Sequence, residues 1–256
     1  EFIADLGSAF INTIKDFRKT PAWLITRYAK TTQNIILDLG LEIYQDYQNI
    51  LSIRGAVDFS DLIWLAISAL EHDSQYLQRL QRRWPYILED EAQDSSQLQQ
   101  TMLGLLAGND GNWVRVGDPN QAIYETFTTA NPRYLLDFIK RDDVINKDLP
   151  VSGRSTISII SLANELIRWS TSTLELEGLR SALSLPYIKP ATQHDPQPNP
   201  SDKPNGIYLY PQKLSEEKEI EVVVKSTKQW LEENPQKTLA ILAPRNVRAA
   251  KIAEAL

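Results

Sequence analysis

The sequence predicts an α/β fold in which parallel-sheet units follow a helical segment. Two short apolar runs, Tyr86–Leu88 and Trp113–Val116, each lead into acids and amides, as buried strands do at the carboxyl edge of an open parallel sheet. Before them, apolar residues recur at helical spacing from Phe2 to about Ile53. Strand-like and helical patterns then alternate from Gly206 to Leu256. We therefore expect the chemistry to lie at the two strand ends.

The composition is that of an ordinary globular protein of 256 residues, 42% of them hydrophobic. The absence of cysteine excludes disulfides and thiolate metal sites, and two histidines, His72 and His194, leave a zinc site short of ligands. A reducing, cytoplasmic setting fits this composition. The net charge of −6 argues against a uniformly basic nucleic-acid binder but permits a local basic groove. The sequence contains neither an 18-residue apolar run nor a signal peptide, so we expect no membrane insertion.

The segment before the first strand is predicted to be helical. Pro21 opens one helix, and Asp58 caps another whose apolar face runs from Phe59 to Leu70. A third helix ends just before the strand and carries three arginines. The arginines are Arg79, Arg82 and Arg83. They either form a solvated basic face or contact phosphate.

The first apolar run ends in three acids, two of which suit phosphoryl-transfer chemistry. Asp90, at the strand tip, is placed to hold Mg²⁺ through water, because Mg²⁺ prefers oxygen ligands and keeps part of its hydration shell. Glu91 could orient and deprotonate a water for in-line attack on a phosphoryl group. Gln93 and Asp94 follow one turn later. The alternative is that Glu89 and its two neighbours form a solvated loop or stabilise the next helix through its dipole.

The second apolar run ends in Gly117-Asp118-Pro119-Asn120-Gln121. This segment puts an acid and an amide at the next strand tip, where they could sense a terminal phosphate. Because it repeats the arrangement of the first unit, it favours a shared phosphate site over a solvated loop.

Several segments resemble motifs of the UvrD/Rep family of superfamily 1 DNA helicases. The segments LEDEAQD and VGDPNQAIYETF resemble the Walker B segment (motif II) and motif III, and VDFSDLIWLA is similar to the family's DFxDLL helix. Downstream, SGRSTISIISLANELI resembles motif IV, and TLAILAPRNVRAAKIAEAL is similar to the strand and helix before the large insertion in the second motor domain. The elements occur in the family order from about Tyr44 to Leu256.

The resemblance implies parts of two RecA-like (P-loop NTPase) parallel-sheet domains, with ATP between them. Residues 1–54 would be a helical piece, the end of the first domain's helical subdomain. Residues 55–145 would be the later part of that motor domain, and residues 146–256 the first part of the second, with a Pro-rich linker at 190–205.

Carried over residue by residue, the resemblance assigns most of the nucleotide site to the first domain. Asp90 would hold Mg²⁺ and Glu91 would activate the attacking water. Gln93 and Asp94 would couple the nucleotide state to the domain interface, and Gln121 would read the γ-phosphate. The implied cofactors are ATP and Mg²⁺.

Three further residues complete the implied constellation. Arg154, in the second domain, would contact the γ-phosphate through its rigid fork of donors. Tyr124 and Phe127 would stack on bases of single-stranded DNA, although Phe127 stands one position later than the family's aromatic. The alternative is that both rings pack in the core. Where the family usually has an aromatic that stacks on adenine, this chain has Gly153, which supplies no ring for that contact.

The implied function of the parent protein is 3′ to 5′ translocation on single-stranded DNA and unwinding at duplex junctions, driven by ATP hydrolysis. The alternatives are a helicase subunit of a RecB- or AddA-like nuclease complex, and a non-catalytic helicase-derived scaffold. None of the ten glycines precedes a lysine, so the phosphate-cradling Walker A loop is expected upstream of Glu1. We therefore expect a fragment that does not hydrolyse ATP alone.

The last part of the sequence predicts half of a second sheet domain. Five prolines between Pro190 and Asn205 mark an extended linker or surface loop. Strands are expected at Gly206–Tyr210 and Leu239–Leu242, on either side of a helix at Glu216–Leu231.

Overall fold

The computed structural model describes residues 2–28, 34–109, 111–122, 129–180 and 182–256. The chain divides into two compact units, Glu1–Pro200 and Ser201–Leu256. Among the described residues, no helix combines the length and apolarity that crossing a bilayer requires.

Five helices open the first unit, and they confirm the predicted helical segment. They are α1 (Phe2–Asp16), α2 (Pro21–Tyr28), α3 (Ile35–Arg54), α4 (Phe59–His72) and α5 (Ser74–Arg83). The core that joins the first three helices contains Ile11, Leu24 and Tyr44, all nearly inaccessible to solvent. Asn34 accepts two backbone hydrogen bonds at the start of α3, and Gly55 ends that helix with a φ of 59°.

A buried lysine joins α1 to α4. Asp58 caps α4, as predicted, and forms a capping box with Asp61. The Lys15 ammonium is fully buried and lies 2.7 Å from a carboxylate oxygen of each of these aspartates. The Tyr47 hydroxyl donates to Asp58 at 3.0 Å. Burial, the hydrogen bond to Asp58 and the charges of both aspartates raise the pKa of Tyr47 to about 12, so its hydroxyl remains a hydrogen-bond donor to Asp58 at neutral pH.

Two parallel strands follow the helices. The strands β1 (Tyr86–Glu89) and β2 (Asn112–Arg115) pair in the register Tyr86↔Asn112 through Glu89↔Arg115, and α6 (Gln97–Ala107) connects them. The predicted strands and their parallel pairing are confirmed, but the expectation that both are buried is wrong. Leu88 is 77% exposed and Val114 48% exposed, because α6 and the later helix at Arg133–Ile139 pack on the opposite face, which carries Glu89 and Arg115.

The rest of the first unit contains α7 (Arg133–Ile139), β3 (Val151–Ser152), α8 (Ile157–Arg168) and β4 (Lys189–Pro190). The strands β3 and β4 pair in parallel. Asp16, at the end of α1, accepts hydrogen bonds from the backbone N–H groups of Gln97 and Leu98 at 2.9 and 3.0 Å. These hydrogen bonds join the helical segment to the first turn of α6, the helix that follows the acidic end of β1.

The second unit contains two helices, α9 (Glu216–Glu233) and α10 (Asn246–Ala255). The predicted helix at Glu216–Leu231 is confirmed. The strands predicted at Gly206–Tyr210 and Leu239–Leu242 are wrong, since neither segment is in a strand. A strand is stabilised by hydrogen bonds to a neighbour, and no described segment pairs with either of these. Parts of two small parallel sheets are therefore present, in a chain that is mostly helical.

Candidate functional site

The floor of the site is a buried ion pair that joins the last residues of β1 and β2. The Arg115 side chain is 1% exposed and that of Glu89 6% exposed, with Nε 2.6 Å from Oε2. The Trp113 indole N–H also donates to Glu89, at 3.1 Å, and the Ser95 hydroxyl donates to its other oxygen. The guanidinium lies 4.8 Å from the centre of the Trp113 ring and 4.9 Å from that of Phe138. Every charge in this cluster is therefore paired, as burial requires.

The two acids after Glu89 turn away from this floor. Asp90 and Glu91 are exposed, and the Glu91 backbone N–H donates to Asp90 Oδ1 at 3.0 Å. Glu91 has a left-handed backbone conformation, with a φ of 51° and a ψ of 42°. Such a conformation is unfavourable for a residue with a side chain and is frequent at functional sites. Of the three consecutive acids, only Glu89 contradicts the alternative of a solvated loop.

Gln93 connects the two strand ends. Its side chain is nearly inaccessible, with 1% of the residue exposed. Its amide nitrogen donates to Glu91 Oε2 at 2.7 Å, and its amide oxygen accepts from the Asp118 backbone N–H at 3.1 Å. A Cβ atom on Gly117 would lie 2.6 Å from that amide oxygen, so a side chain at this position would displace the Gln93 amide. A single side chain therefore fixes Glu91 relative to the second strand tip.

The second strand tip holds Gln121 in a short 3₁₀ turn, Pro119–Gln121. Asp118 caps this turn by accepting from the Asn120 backbone N–H at 2.9 Å, and its other oxygen accepts from the Gln121 amide at 3.0 Å. The structure thus brings together Asp90, Glu91, Gln93 and Gln121, through Asp118. Tyr124 and Phe127, which we predicted to contact DNA, lie outside the described residues.

The Asp94 carboxylate is less completely hydrogen-bonded than the side chains of Gln93 and Glu89. Its Oδ1 atom is buried and has no hydrogen-bond partner among the described residues. Burial, with a smaller contribution from the charge of Glu91, raises the pKa of Asp94 above its usual value of 3.8. An under-paired carboxylate next to Gln93 is available to a further donor.

Arg154 lies in the turn between β3 and α8, and its side chain is exposed. No hydrogen bond or ion pair joins it to Asp90, Glu91 or Gln121 in the described structure. Its turn is nevertheless well fixed, because the Asn199 amide donates to the carbonyl oxygens of Ser152 and Ser155 at 2.6 and 2.8 Å. The backbone on both sides of Arg154 is therefore held while the guanidinium is open to a ligand.

The residues at the strand tips fit a magnesium ion bound largely through water and phosphate. Within the described ranges, no group of three or more His, Cys, Asp or Glu side chains could enclose a metal. Asp90 offers one exposed carboxylate, and its neighbours Glu89 and Asp118 are occupied by internal hydrogen bonds. One or two carboxylates, with substrate phosphates and water, are the usual protein contribution to such a site.

The family model for the UvrD/REP helicase N-terminal domain matches residues 7–143. The chain belongs to the UvrD/Rep helicase family. It is 34% identical to the ATP-dependent DNA helicase UvrD2 of Mycobacterium tuberculosis over 190 residues, which cover 70% of this chain and 26% of that protein. It is 36% identical to the ATP-dependent DNA helicase PcrA of Leuconostoc citreum over 176 residues, which cover 66% and 23%. The chain thus spans about a quarter of the length of these relatives.

Sequence reasoning missed three residues that position the candidate site of this UvrD/Rep family member. Glu89 was grouped with the exposed acids. However, it lies two residues after Ile87 in β1 and therefore shares the covered face of the strand with it. Asn120 and Asn199 carried no sequence signal, because each one bonds to backbone groups that lie far away along the chain. Membership of the family does not distinguish their roles.

Proposed function

We propose that the full-length protein containing this chain is an ATP-dependent DNA helicase. It hydrolyses ATP to move along single-stranded DNA and to separate strands at duplex junctions, with the 3′ to 5′ direction that the family resemblance implies. The observation that carries the proposal is the hydrogen-bonded series from Glu91 through Gln93 and Asp118 to Gln121, which fixes a carboxylate and an amide at adjacent strand tips. The names of the UvrD2 and PcrA relatives support it.

Glu91 is the proposed general base. Its exposed carboxylate takes a proton from water as the water oxygen attacks the γ-phosphorus, and the bond to the β–γ bridging oxygen breaks to give ADP and phosphate. The hydrogen bond from Gln93 at 2.7 Å orients the carboxylate before substrate arrives. Asp90 would hold Mg²⁺, which neutralises the charge of the phosphate oxygens when it is bound.

Gln121 and Arg154 are the proposed contacts to the γ-phosphate. The Gln121 amide is held by Asp118 at 3.0 Å, and it would exchange this hydrogen bond for one to the γ-phosphate. The Arg154 side chain is exposed on a fixed turn, and a guanidinium presents several donors to phosphate oxygens while keeping its charge. Loss of the γ-phosphate would release both contacts at once.

Gln93 and Asp94 are the proposed route from nucleotide to DNA. Gln93 contacts both strand tips, and the buried, unpaired oxygen of Asp94 can accept a new hydrogen bond when the site rearranges. Single-stranded DNA would stack on Tyr124 and Phe127, where each base contact contributes about 1–3 kcal/mol without sequence preference. Closing and opening of the nucleotide site would then move the strand in steps.

The first prediction concerns Glu91→Gln in the full-length protein. This change keeps the size of the side chain and an oxygen that can accept from Gln93, but removes the base. We expect DNA-stimulated ATP turnover to fall by about 100-fold or more, since general-base catalysis contributes about 10²–10⁴-fold. Steady-state phosphate release measures this loss of turnover. Nucleotide affinity, measured by binding of a fluorescent nucleotide, should change little.

The matched control is Glu175→Gln, a change at an exposed glutamate outside the site. It should have wild-type turnover. Turnover that survives Glu91→Gln unchanged would show that another group activates the water and that the proposed mechanism is wrong.

A further inference from the structure

The segment 184–191, here called the strap, is hydrogen-bonded by three asparagine side chains from different parts of the first unit. The asparagines are Asn120, in the turn that carries Gln121; Asn164, on α8; and Asn199, in the Pro-rich segment. The strap includes β4. Its two ends therefore reach the two turns that carry the proposed phosphate contacts.

At one end, Asn120 bonds to both backbone groups of Ser184. Its amide nitrogen donates to the Ser184 carbonyl oxygen at 2.8 Å, and its amide oxygen accepts from the Ser184 N–H at 2.7 Å. The Ser184 hydroxyl adds a longer bond of 3.2 Å to the same oxygen. Paired bonds of this kind fix the amide plane, so a movement of the Gln121 turn has to move Ser184 or break both bonds.

In the middle, Asn164 makes the same paired contact with Ile188, and both of its bonds measure 2.8 Å. The next strap residue, Lys189, donates its backbone N–H to the Pro150 carbonyl oxygen at 2.7 Å, and β4 pairs with β3 in parallel. The strap is thereby fastened to α8 and to the strand that leads into Arg154.

At the other end, Asn199 closes the Arg154 turn on the strap. Its amide oxygen accepts from the Ala191 N–H at 2.8 Å, while its amide nitrogen donates to the carbonyl oxygens on either side of Gly153 and Arg154. A Cβ atom on Gly153 would lie 1.8 Å from the Gln197 carbonyl oxygen. The Pro-rich segment therefore packs directly against this turn, and only glycine permits it.

We propose that the strap couples the position of the Gln121 turn to the position of the Arg154 turn. Asn120 and Asn199 are the positioning residues at its two ends. A shift of Gln121 on loss of phosphate would be passed through Ser184, β4 and Asn199 to the backbone that sets the direction of Arg154. The inference rests on the proposed function for the roles of Gln121 and Arg154, but the mechanical link itself does not depend on catalysis.

The test compares Asn120→Ala, Asn199→Ala and the double variant in the full-length protein. Each single change should lower the kcat for DNA-stimulated ATP hydrolysis by about 10- to 100-fold, since small displacements of positioned groups have effects of this size. Because both residues act through one strap, the double variant should be no slower than the poorer single variant by more than about 3-fold. Multiplying effects would show two independent local roles and overturn the proposal.

Hydrogen–deuterium exchange gives a readout that does not require activity. Asn120→Ala should accelerate amide exchange at residues 151–155, the far end of the strap, while the melting temperature changes little. Unchanged exchange there overturns the proposal even if turnover falls. Asn120→Asp keeps the two acceptor contacts with Ser184 but sets a carboxylate oxygen against the Ser184 carbonyl oxygen. It should also accelerate exchange at residues 151–155, which provides a second variant if the alanine protein folds poorly.

Two control variants separate the strap from its surroundings. Gln193→Ala, at an exposed side chain of the Pro-rich segment, should resemble wild type in both measurements. Ser184→Ala removes only the 3.2 Å hydroxyl bond and should have a small effect. If the wild-type protein shows no DNA-stimulated ATP turnover, the proposed function fails while exchange still decides the strap; if wild type hydrolyses ATP and the asparagine variants behave as wild type in both measurements, only the strap fails.

Discussion

Two buried ionic clusters in the described part of the first unit differ in how well their charges are shielded from solvent. In the helical segment, the buried Lys15 faces two aspartates that are 21% and 16% exposed at their side chains. Under the strand tips, Glu89 and Arg115 are both almost fully buried and are surrounded by an indole, a hydroxyl and an amide. The first cluster joins two helices, and the second forms the floor of the proposed nucleotide site.

The difference indicates how a buried charge can serve a site without touching substrate. The Val116 N–H donates to the Glu89 carbonyl oxygen at 2.8 Å, and the Ala92 N–H donates to that of Val116 at 2.9 Å. The ion pair therefore lies where the backbone of both loops leaves the sheet. We expect substitutions of Glu89 or Arg115 to lower both the free energy of unfolding and ATP turnover. A substitution of Lys15 should lower the free energy of unfolding alone.

The largest expected effect is that of Arg115→Met. This change leaves Glu89 buried without its counter-ion, and breaking a buried pair in this way costs about 3–5 kcal/mol. Urea denaturation should show the lost free energy of unfolding, and turnover of the protein that stays folded should also fall. The double variant Glu89→Gln with Arg115→Met should recover part of the stability, since it removes the unpaired charge. Full turnover in folded Arg115→Met would break the contrast between the clusters.

Lys15→Met should have a smaller effect on stability. The two aspartates it leaves behind keep contact with solvent, so we expect a loss of about 1–3 kcal/mol. Burial alone would raise the pKa of Asp58, but hydrogen bonds from Lys15, the Asp61 backbone and Tyr47, with the charge of Lys15, hold it below the usual 3.8. The free energy of folding that Asp58 gains from these contacts is therefore fully present above pH 3.8. It is lost as the pH falls through the lowered pKa of Asp58.

Denaturation of both proteins across the acid range measures this dependence. The wild-type advantage over Lys15→Met should shrink at low pH. Folded Lys15→Met should turn over ATP at the wild-type rate, and a parallel loss of turnover would show that the helical cluster also supports the site.

The smallest expected effect, with the opposite sign, is that of Asp94→Asn. Since burial raises the pKa of Asp94 above 3.8, ionisation of this group opposes folding at neutral pH, and that cost disappears as the pH falls to 3.8 and below. Asparagine removes the charge, so the variant should melt at a slightly higher temperature at pH 7 and lose this advantage in acid. Equal melting temperatures at pH 7 would contradict the burial of the Asp94 charge. The double variant with Lys15→Met should show additive changes.

Sequence predicted those parts of the molecule that depend on local pattern. The helices before Gly55, the cap at Asp58 and the two strand tips follow from periodicity and residue type. The positions of Asp90, Glu91 and Gln121 relative to the strands also follow, because the carboxyl ends of parallel strands share an edge. Their catalytic roles stay predictions.

Contacts between distant segments could not be predicted in this way. Whether Glu89 is buried depends on Arg115 arriving from the next strand, and whether Asn199 is structural depends on carbonyl groups 44 and 47 residues earlier. The two strands expected after Gly206 had suitable patterns, but a strand also needs a partner. The periodicity of a segment shows which face of a helix or strand is apolar, but it does not show which other segments pack against that face.

The close packing of Gly153 on the Gln197 carbonyl oxygen also bears on how this chain can be altered by recombination or design. An aromatic side chain cannot be introduced at position 153 by a point substitution, because the space for its first carbon is already filled. A chimaera that takes its motif IV from an aromatic-bearing relative would have to take the equivalent of residues 191–199 as well. The glycine and the segment that packs on it are therefore expected to be exchanged only as one module.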